Sequence, residues 1–249
     1  MYLILALVTV VGLCVGSFCN VLILRIPRGE EFVKTPSHCM TCGRHLHWYE
    51  NIPLVSWLAQ GGRCRGCGVR LSAQYPLVEA ANGLLWLVAA VLFYGDWITV
   101  VLSCALLSLL LVLAVIDWRT FTIPNGINFV IFVLAVIRVV TDTENLMGHL
   151  GGLAFGGGLF FALWFLTGGT GLGFGDVKLM FGAGLFLGFS KTIFALITGC
   201  IIGAVVHTIR MKRGAGRKLA FGPYLALGIG LSVLIGGPII TAYLSLFGL

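Results

Sequence analysis

Three acidic residues stand where a charge is costly. Glu79, Asp117 and Asp176 each adjoin a long apolar run, whereas Glu30, Glu31, Glu50, Asp96, Asp142 and Glu144 fall in polar or connecting segments and read as ordinary solvated charges. Asp117 closes Val115-Ile116-Asp117-Trp118-Arg119, with Ile123-Pro124-Asn125 just beyond, and Asp176 ends Gly171-Leu172-Gly173-Phe174-Gly175-Asp176. An ionisable group at such an edge is a functional candidate. Two carboxylates brought together do not both ionise easily, so one keeps its proton while the other serves as a base. Such a pair can activate water against a peptide carbonyl with no covalent intermediate. Glycines ahead of Asp176 let backbone approach an extended peptide, where a Cβ would obstruct it. Two plainer readings stand beside this one. Asp117 with Arg119 and Asp176 with Lys178 form solvated helix-end ion pairs, or the carboxylates coordinate a transported cation.

Four of the eight cysteines make a second constellation, Cys39-x-x-Cys42 and Cys64-x-x-Cys67, with 21 residues between the pairs. Each pair can chelate from one tight turn, and two such pairs close a tetrahedron around Zn2+. Gly43, Gly66 and Gly68 suit those turns. Four thiolates leave no open coordination position, so the expected zinc is structural. Two disulfides are the alternative, disfavoured if the segment faces the cytoplasm. Cys14, Cys19, Cys104 and Cys200 lie in apolar runs and are expected to pack as small hydrophobes.

These residues must be positioned by a chain of 249 residues that is 59% hydrophobic and 10% charged, with mean hydropathy +1.03. Soluble domains carry about 25% charged residues, which excludes a soluble enzyme and a disordered chain. The expected class is an all-α polytopic membrane protein. Uncharged runs at 1–24, 80–95, 97–116, 120–137, 145–175, 179–190, 192–209 and 219–249 give eight candidate transmembrane helices. The run at 179–190 is short and is expected to begin a turn earlier, near Gly175. No basic segment precedes the first run and no small-residue cleavage site follows it, which reads as a retained span. Gly12 and Gly16, four apart within it, suit close helix packing.

Basic residues favour the cytoplasmic side. With the N-terminus outside and eight crossings, only Arg138 and Lys191 of the 16 basic residues fall outside. Arg25, Arg28, Lys34, Arg44, Arg63, Arg65, Arg70, Arg119, Lys178, Arg210, Lys212, Arg213, Arg217 and Lys218 fall inside. The basic balance therefore reports topology, and no nucleic-acid partner is expected. Residues 1–24 form the first helix, 25–75 a cytoplasmic four-cysteine zinc loop, and 76–249 a transmembrane core of about seven helices. Asp117 and Asp176 then share one depth and one side.

On these residues the chain resembles the type IV prepilin peptidases, polytopic aspartic proteases of the GxGD kind. The resemblance is carried by Gly16-Ser17-Phe18-Cys19-Asn20-Val21, Trp48-Tyr49-Glu50-Asn51-Ile52-Pro53, both CxxC pairs, Ser72-Ala73-Gln74-Tyr75-Pro76-Leu77-Val78-Glu79, residues 117–125, Gly173-Phe174-Gly175-Asp176-Val177-Lys178 and Phe221-Gly222-Pro223-Tyr224. It implies a bifunctional enzyme of the bacterial inner membrane that removes the basic leader of prepilins or pseudopilins on the cytoplasmic side. The same enzyme then N-methylates the new N-terminal residue with S-adenosylmethionine. Asp117 and Asp176 match the catalytic aspartates of the family, and Cys39, Cys42, Cys64 and Cys67 match its cysteine tetrad. Members confined to cleavage tend to lack the cysteine loop. No Rossmann strand, glycine turn and helix exists for the methyl donor. Glu50, Asn51 and Glu79 are the polar candidates for its site, although Glu79 could instead cap the second helix. A peptidase without methyl transfer and a cation transporter using the paired aspartates are the alternatives.

Overall fold

A computed structural model describes residues 1–213 and 219–248. Arg217 and Lys218, two of the basic residues expected inside, lie outside the described residues. Among the described residues nine α-helices form: α1 (Tyr2–Arg25), α2 (Val55–Ala59), α3 (Gln74–Leu92), α4 (Trp97–Thr120), α5 (Asn125–Thr141), α6 (Leu146–Leu166), α7 (Phe174–Leu187), α8 (Phe189–Lys212) and α9 (Gly222–Ser245). The extended structure among them is limited to isolated bridges, His38 with His45 and Arg63 with Arg70.

Each of the eight apolar runs holds a helix, and the short seventh helix does start early, at Phe174. Six of the helices, α1, α3, α4, α6, α8 and α9, are long and apolar enough to cross a membrane, which fits a multi-pass membrane protein. The expected eight spans therefore stand at six on length. α5 has 17 residues and α7 has 14. At 1.5 Å per residue these reach only about 26 and 21 Å, against a hydrocarbon core of about 30 Å.

The chain divides into two compact units, Met1–Val100 and Val101–Leu249. In the first, α1 packs along α3 through the glycines singled out by their spacing. A Cβ at Gly12 would stand 2.8 Å from Cβ of Trp86, and one at Gly16 would stand 2.8 Å from Cα of Glu79. Side chains larger than hydrogen would force the helices apart. Asn82 Nδ2 donates to the carbonyl of Gly12 at 2.7 Å and Asn20 Nδ2 to that of Tyr75 at 3.1 Å, which fixes the register. At the end of α1 the buried Arg25 donates to the carbonyls of Glu31 at 3.1 Å, Thr35 at 2.8 Å and Pro36 at 3.0 Å, tying the polar loop to the helix.

In the second unit α7 is the most enclosed element and packs against α5 and α6. Gly152 of α6 and Gly184 of α7 meet backbone to backbone, and Gly228 of α9 meets the Ala195 carbonyl of α8. His149 of α6 is buried, with Nδ1 2.8 Å from the Leu185 carbonyl and Nε2 3.3 Å from Oδ2 of Asp142. The same oxygen of Asp142 takes Arg138 Nη2 at 3.3 Å, so this acid is a paired structural group rather than a free solvated charge. Of the four isolated cysteines, Cys19 and Cys104 are buried as expected, but Cys14 and Cys200 face outward. On a helix within lipid, an outward thiol needs no packing partner.

Candidate active site and metal centre

Asp117 occupies the last turn of α4 and Asp176 the first turn of α7, and both are buried. The intervening segment is shaped by local chemistry. α4 stops in a turn where Phe121 takes a positive φ of 54°. Pro124, extended at ψ 131°, then stands as the N-cap of α5. Before Asp176, Gly173 is the extended N-cap of α7, and the amide of Asp176 donates to its carbonyl at 3.1 Å.

Three side-chain relationships bring the two acids together. The backbone N–H of Gly222, first residue of α9, donates to Oδ2 of Asp117 at 3.0 Å. Ile123 is wedged between the two glycine-bearing segments, since a Cβ on Gly175 would lie 2.9 Å from its Cβ and one on Gly222 3.2 Å from its Cδ1. Asn128 of α5 donates through Nδ2 to the carbonyl of Gly175 at 3.0 Å, pinning the turn that carries Asp176. The turn that carries Asp176 and the Gly222 amide that holds Asp117 thus lie against the same Ile123 side chain.

The helix-end ion pair anticipated for Asp176 does not form, because Lys178 Nζ turns to Oδ1 of Asn125 at 2.8 Å and lies 5.0 Å over the Phe174 ring. Oδ1 of Asp176, Oδ1 of Asn128 and the hydroxyl of Tyr224 are buried with no hydrogen-bond partner. Buried polar atoms are nearly always satisfied, so orphans clustered on these elements mark a place where a further group is expected. Asn128 was not anticipated from sequence. Its signal is an amide within the apolar run at 120–137, one helical turn after Pro124.

The two cysteine pairs are built as copies of one turn. The N–H of Cys39 donates to the Arg44 carbonyl at 2.9 Å and that of Gly43 to the Cys39 carbonyl at 2.9 Å. In the second copy the N–H of Cys64 donates to the Val69 carbonyl at 2.9 Å and that of Gly68 to the Cys64 carbonyl at 2.9 Å. Gly43 and Gly68 both take φ 71°, a left-handed conformation that costs glycine nothing. Gly66 plays a different part from the one expected, because its φ is not positive. A Cβ there would press within 3.0 Å of Arg44 Nε.

The four Sγ atoms lie within 4.8 Å of one another, Cys39 and Cys64 buried, Cys42 and Cys67 exposed. Metal–sulfur bonds of 2.3 Å in a tetrahedron place sulfurs about 3.8 Å apart. The four thiols therefore fit a metal ion with only slight contraction.

Arg44 joins this cluster to Glu50. Its Nη2 donates to Oε1 of Glu50 at 2.7 Å, while the amide of His47 donates to Oε2 at 2.9 Å in a capping box. The Arg44 guanidinium, with the His47 amide behind it, holds the Glu50 carboxyl below the usual carboxylate range. Both oxygens of Glu50 are thus committed within the loop. Glu79 lies in the second turn of α3, too far along to cap the helix. It is buried, accepts from the Leu54 amide at 2.8 Å through Oε2 and is bonded by the Ser17 hydroxyl. Leu54 takes φ 62° and ψ −51°, with Val55 N–H reaching the Pro53 carbonyl at 2.6 Å, a strained γ-turn. Glu50, Asn51 and Glu79 all line one cavity of about 250 Å³ within the first unit.

Two family models match the chain. One, the Bacterial Peptidase A24 N-terminal domain, covers residues 10–93, and the other, the Type IV leader peptidase family, covers residues 104–208. The prepilin leader peptidase/N-methyltransferase of Stutzerimonas stutzeri is 31% identical over 272 residues, 94% of this chain and 92% of that protein. The protein of the same name in Aeromonas salmonicida strain A449 is 32% identical over 278 residues, 98% of this chain and 95% of its own length. The one in Myxococcus xanthus strain DK1622 is 39% identical over 214 residues, 84% of this chain, and this chain spans 63% of its length. No solved structure matches.

Proposed function

The chain belongs to the type IV leader peptidase family, and from that premise we propose that it is a membrane aspartic endopeptidase and N-methyltransferase acting on prepilins or pseudopilins, with Asp117 and Asp176 as its catalytic pair. The observation that supports the peptidase assignment is the burial of two carboxylates at helix ends, Asp117 held by the Gly222 amide and Asp176 in the turn pinned through Gly175 by Asn128.

In the proposed reaction one carboxylate is ionised and its neighbour carries a proton. The ionised group takes a proton from water as the water oxygen bonds to the scissile carbonyl carbon. The protonated group gives its proton to the carbonyl oxygen, so the adduct is a neutral diol. Collapse breaks the carbon–nitrogen bond: the proton gained from water passes to the departing amine, and a diol hydroxyl returns its proton to the carboxylate that donated one, which restores the starting pair. The Gly222 amide keeps Asp117 oriented throughout.

Methyl transfer is proposed as the second step. When bound, S-adenosylmethionine supplies its sulfonium methyl to the uncharged amine of the new N-terminus. The residues proposed to hold the donor are Glu50, Asn51 and Glu79, which line one cavity. Zn2+ is proposed at Cys39, Cys42, Cys64 and Cys67, where four thiolates supply a closed structural site and no open position for chemistry.

All eight long helices are proposed to cross the bacterial inner membrane, α5 and α7 as short spans shielded by neighbours, with the N-terminus outside and the cysteine loop cytoplasmic. The distribution of basic residues supports that orientation. A prepilin has a basic leader and an apolar helix, so its scissile bond lies at the inner boundary. The Asp117 and Asp176 helix ends are proposed to stand there. The basic inner face attracts such a leader poorly, and the substrate's apolar helix supplies most of the affinity.

The test is leader removal from a prepilin by Asp117→Asn and Asp176→Asn proteins in lipid, with membrane insertion and metal content measured alongside. Cleavage is expected to stop in both. Normal cleavage by either variant removes the pair from the mechanism.

A further inference from the structure

The cavity of about 250 Å³ in the first unit is walled by the end of α1, by the polar loop with α2 and by the start of α3; Arg25, spent on loop carbonyls, and Arg70 line it beside Glu50 and Glu79. It lies just below the usual range for small-molecule sites, about 300–1,000 Å³. Its lining combines three kinds of recognition. Trp57 and Tyr75 supply aromatic surface. Glu79 supplies a buried carboxylate, and among the described residues no lysine, arginine or histidine forms an ion pair with it. The indole Nε1 of Trp57 is buried with no hydrogen-bond partner.

Each feature is costly unless something completes it. A buried carboxylate without a counter-cation favours a cationic guest, aromatic faces attract cations and stack on heterocycles, and an orphan indole donor needs an acceptor. The backbone around the cavity is arranged to the same end. The strained γ-turn at Leu54 is held by Glu79 itself, and Gly62 leaves room for the indole, since a Cβ there would stand 3.0 Å from Trp57 Cζ2. Strain of this kind concentrates at ligand clamps.

We infer that this cavity is the methyl-donor site, taking a cationic sulfonium nucleoside, with Glu79 facing its positive charge and the Trp57 indole donating to an acceptor on its heterocycle or carboxylate. The inference rests on the methyltransferase reading above. It also divides the residues expected from sequence, because Glu79 belongs to the ligand whereas Glu50, with both oxygens spent on Arg44 and His47, belongs to the loop.

The experiment uses the full chain in lipid nanodiscs with its metal retained. Binding of S-adenosylmethionine is followed by calorimetry, and the bound donor is photo-crosslinked to the wild-type protein and mapped by peptide mass. Trp57→Phe and Glu79→Gln are each expected to weaken binding at least tenfold at unchanged metal content. Trp48→Phe, at an exposed tryptophan that does not line the cavity, is expected to bind as wild type. The crosslink is expected between residues 17 and 79, an arm that depends on no variant being folded. Wild-type affinity in both cavity variants, or a crosslink confined to residues 101–249, overturns the site while methylation by the wild type still stands. A wild-type protein that neither binds the donor nor methylates overturns the methyltransferase reading, and the site with it.

Discussion

The N–H of Gly222 donates to Oδ2 of Asp117 at 3.0 Å, joining residues 105 apart in sequence. A Cβ on this glycine would stand 2.7 Å from the same oxygen. Gly222→Ala is therefore expected to displace Asp117 while leaving both carboxylates present. Small misplacements of a reacting group cost up to about 100-fold. Steady-state cleavage should show kcat reduced roughly 10- to 100-fold with KM little changed, and an unchanged kcat would separate Gly222 from the chemistry.

Asn128 offers a second, gentler test. Its Nδ2 holds the Gly175 carbonyl at 3.0 Å, one residue before Asp176. Loss of a buried hydrogen bond costs about 1 kcal/mol, about a fivefold rate change. Asn128→Ala should lower kcat by about that factor, and Asn128→Leu, which also fills the space, should not restore it. Restoration by Leu would make the residue a packing group only.

Metal removal separates the two units. Purified protein is expected to carry about one zinc per chain, lost in Cys39→Ser or Cys64→Ser and on prolonged chelation. Limited proteolysis should then cut between residues 26 and 73 while α4 to α9 stay protected. Metal analysis that finds no zinc in the wild type would reduce the cluster to four thiols.

Arg44 and Glu50 support the cluster from outside it. Groups that brace metal ligands are worth about 10- to 100-fold in affinity, so Arg44→Ala and Glu50→Gln should each release zinc to a competing chelator about tenfold more readily. The pH dependence follows from the depressed pKa of Glu50. A carboxylate held below its unfolded value of about 4.3 contributes above that value and loses its contribution as pH falls through the lower folded one. The gap between wild type and Glu50→Gln should therefore be flat across about pH 5–8 and close only in stronger acid.

What was legible in the sequence was whatever depends on composition and short-range spacing. Eight apolar runs gave eight helices, the CxxC pairs gave a four-thiol cluster, and Gly12 with Gly16 gave the α1–α3 contact. Family membership also displaces the cation-transporter alternative. What could not be read depends on where distant backbone goes. No local pattern shows that the amide of Gly222 reaches Asp117, that Lys178 prefers Asn125 to Asp176, or that Ile123 separates two glycines from different helices. Glu50 was read as both a solvated charge and a cofactor residue. Its actual partner, Arg44, lies six residues away across a turn whose shape is set by Gly43. The count of eight spans stands at six by helix length for a simpler reason, because the absence of charge over a run does not fix the length of its helix.

The repeated cysteine turns have an inner and an outer sulfur each, with Cys39 and Cys64 enclosed and Cys42 and Cys67 open to the surroundings. Traffic at the centre is therefore one-sided. A chelator, an oxidant or an incoming ion would meet Cys42 and Cys67 before Cys39 and Cys64. Any metal held at the four sulfurs would thus be reached from one side, where a reagent that attacks two neighbouring thiols at once finds both exposed.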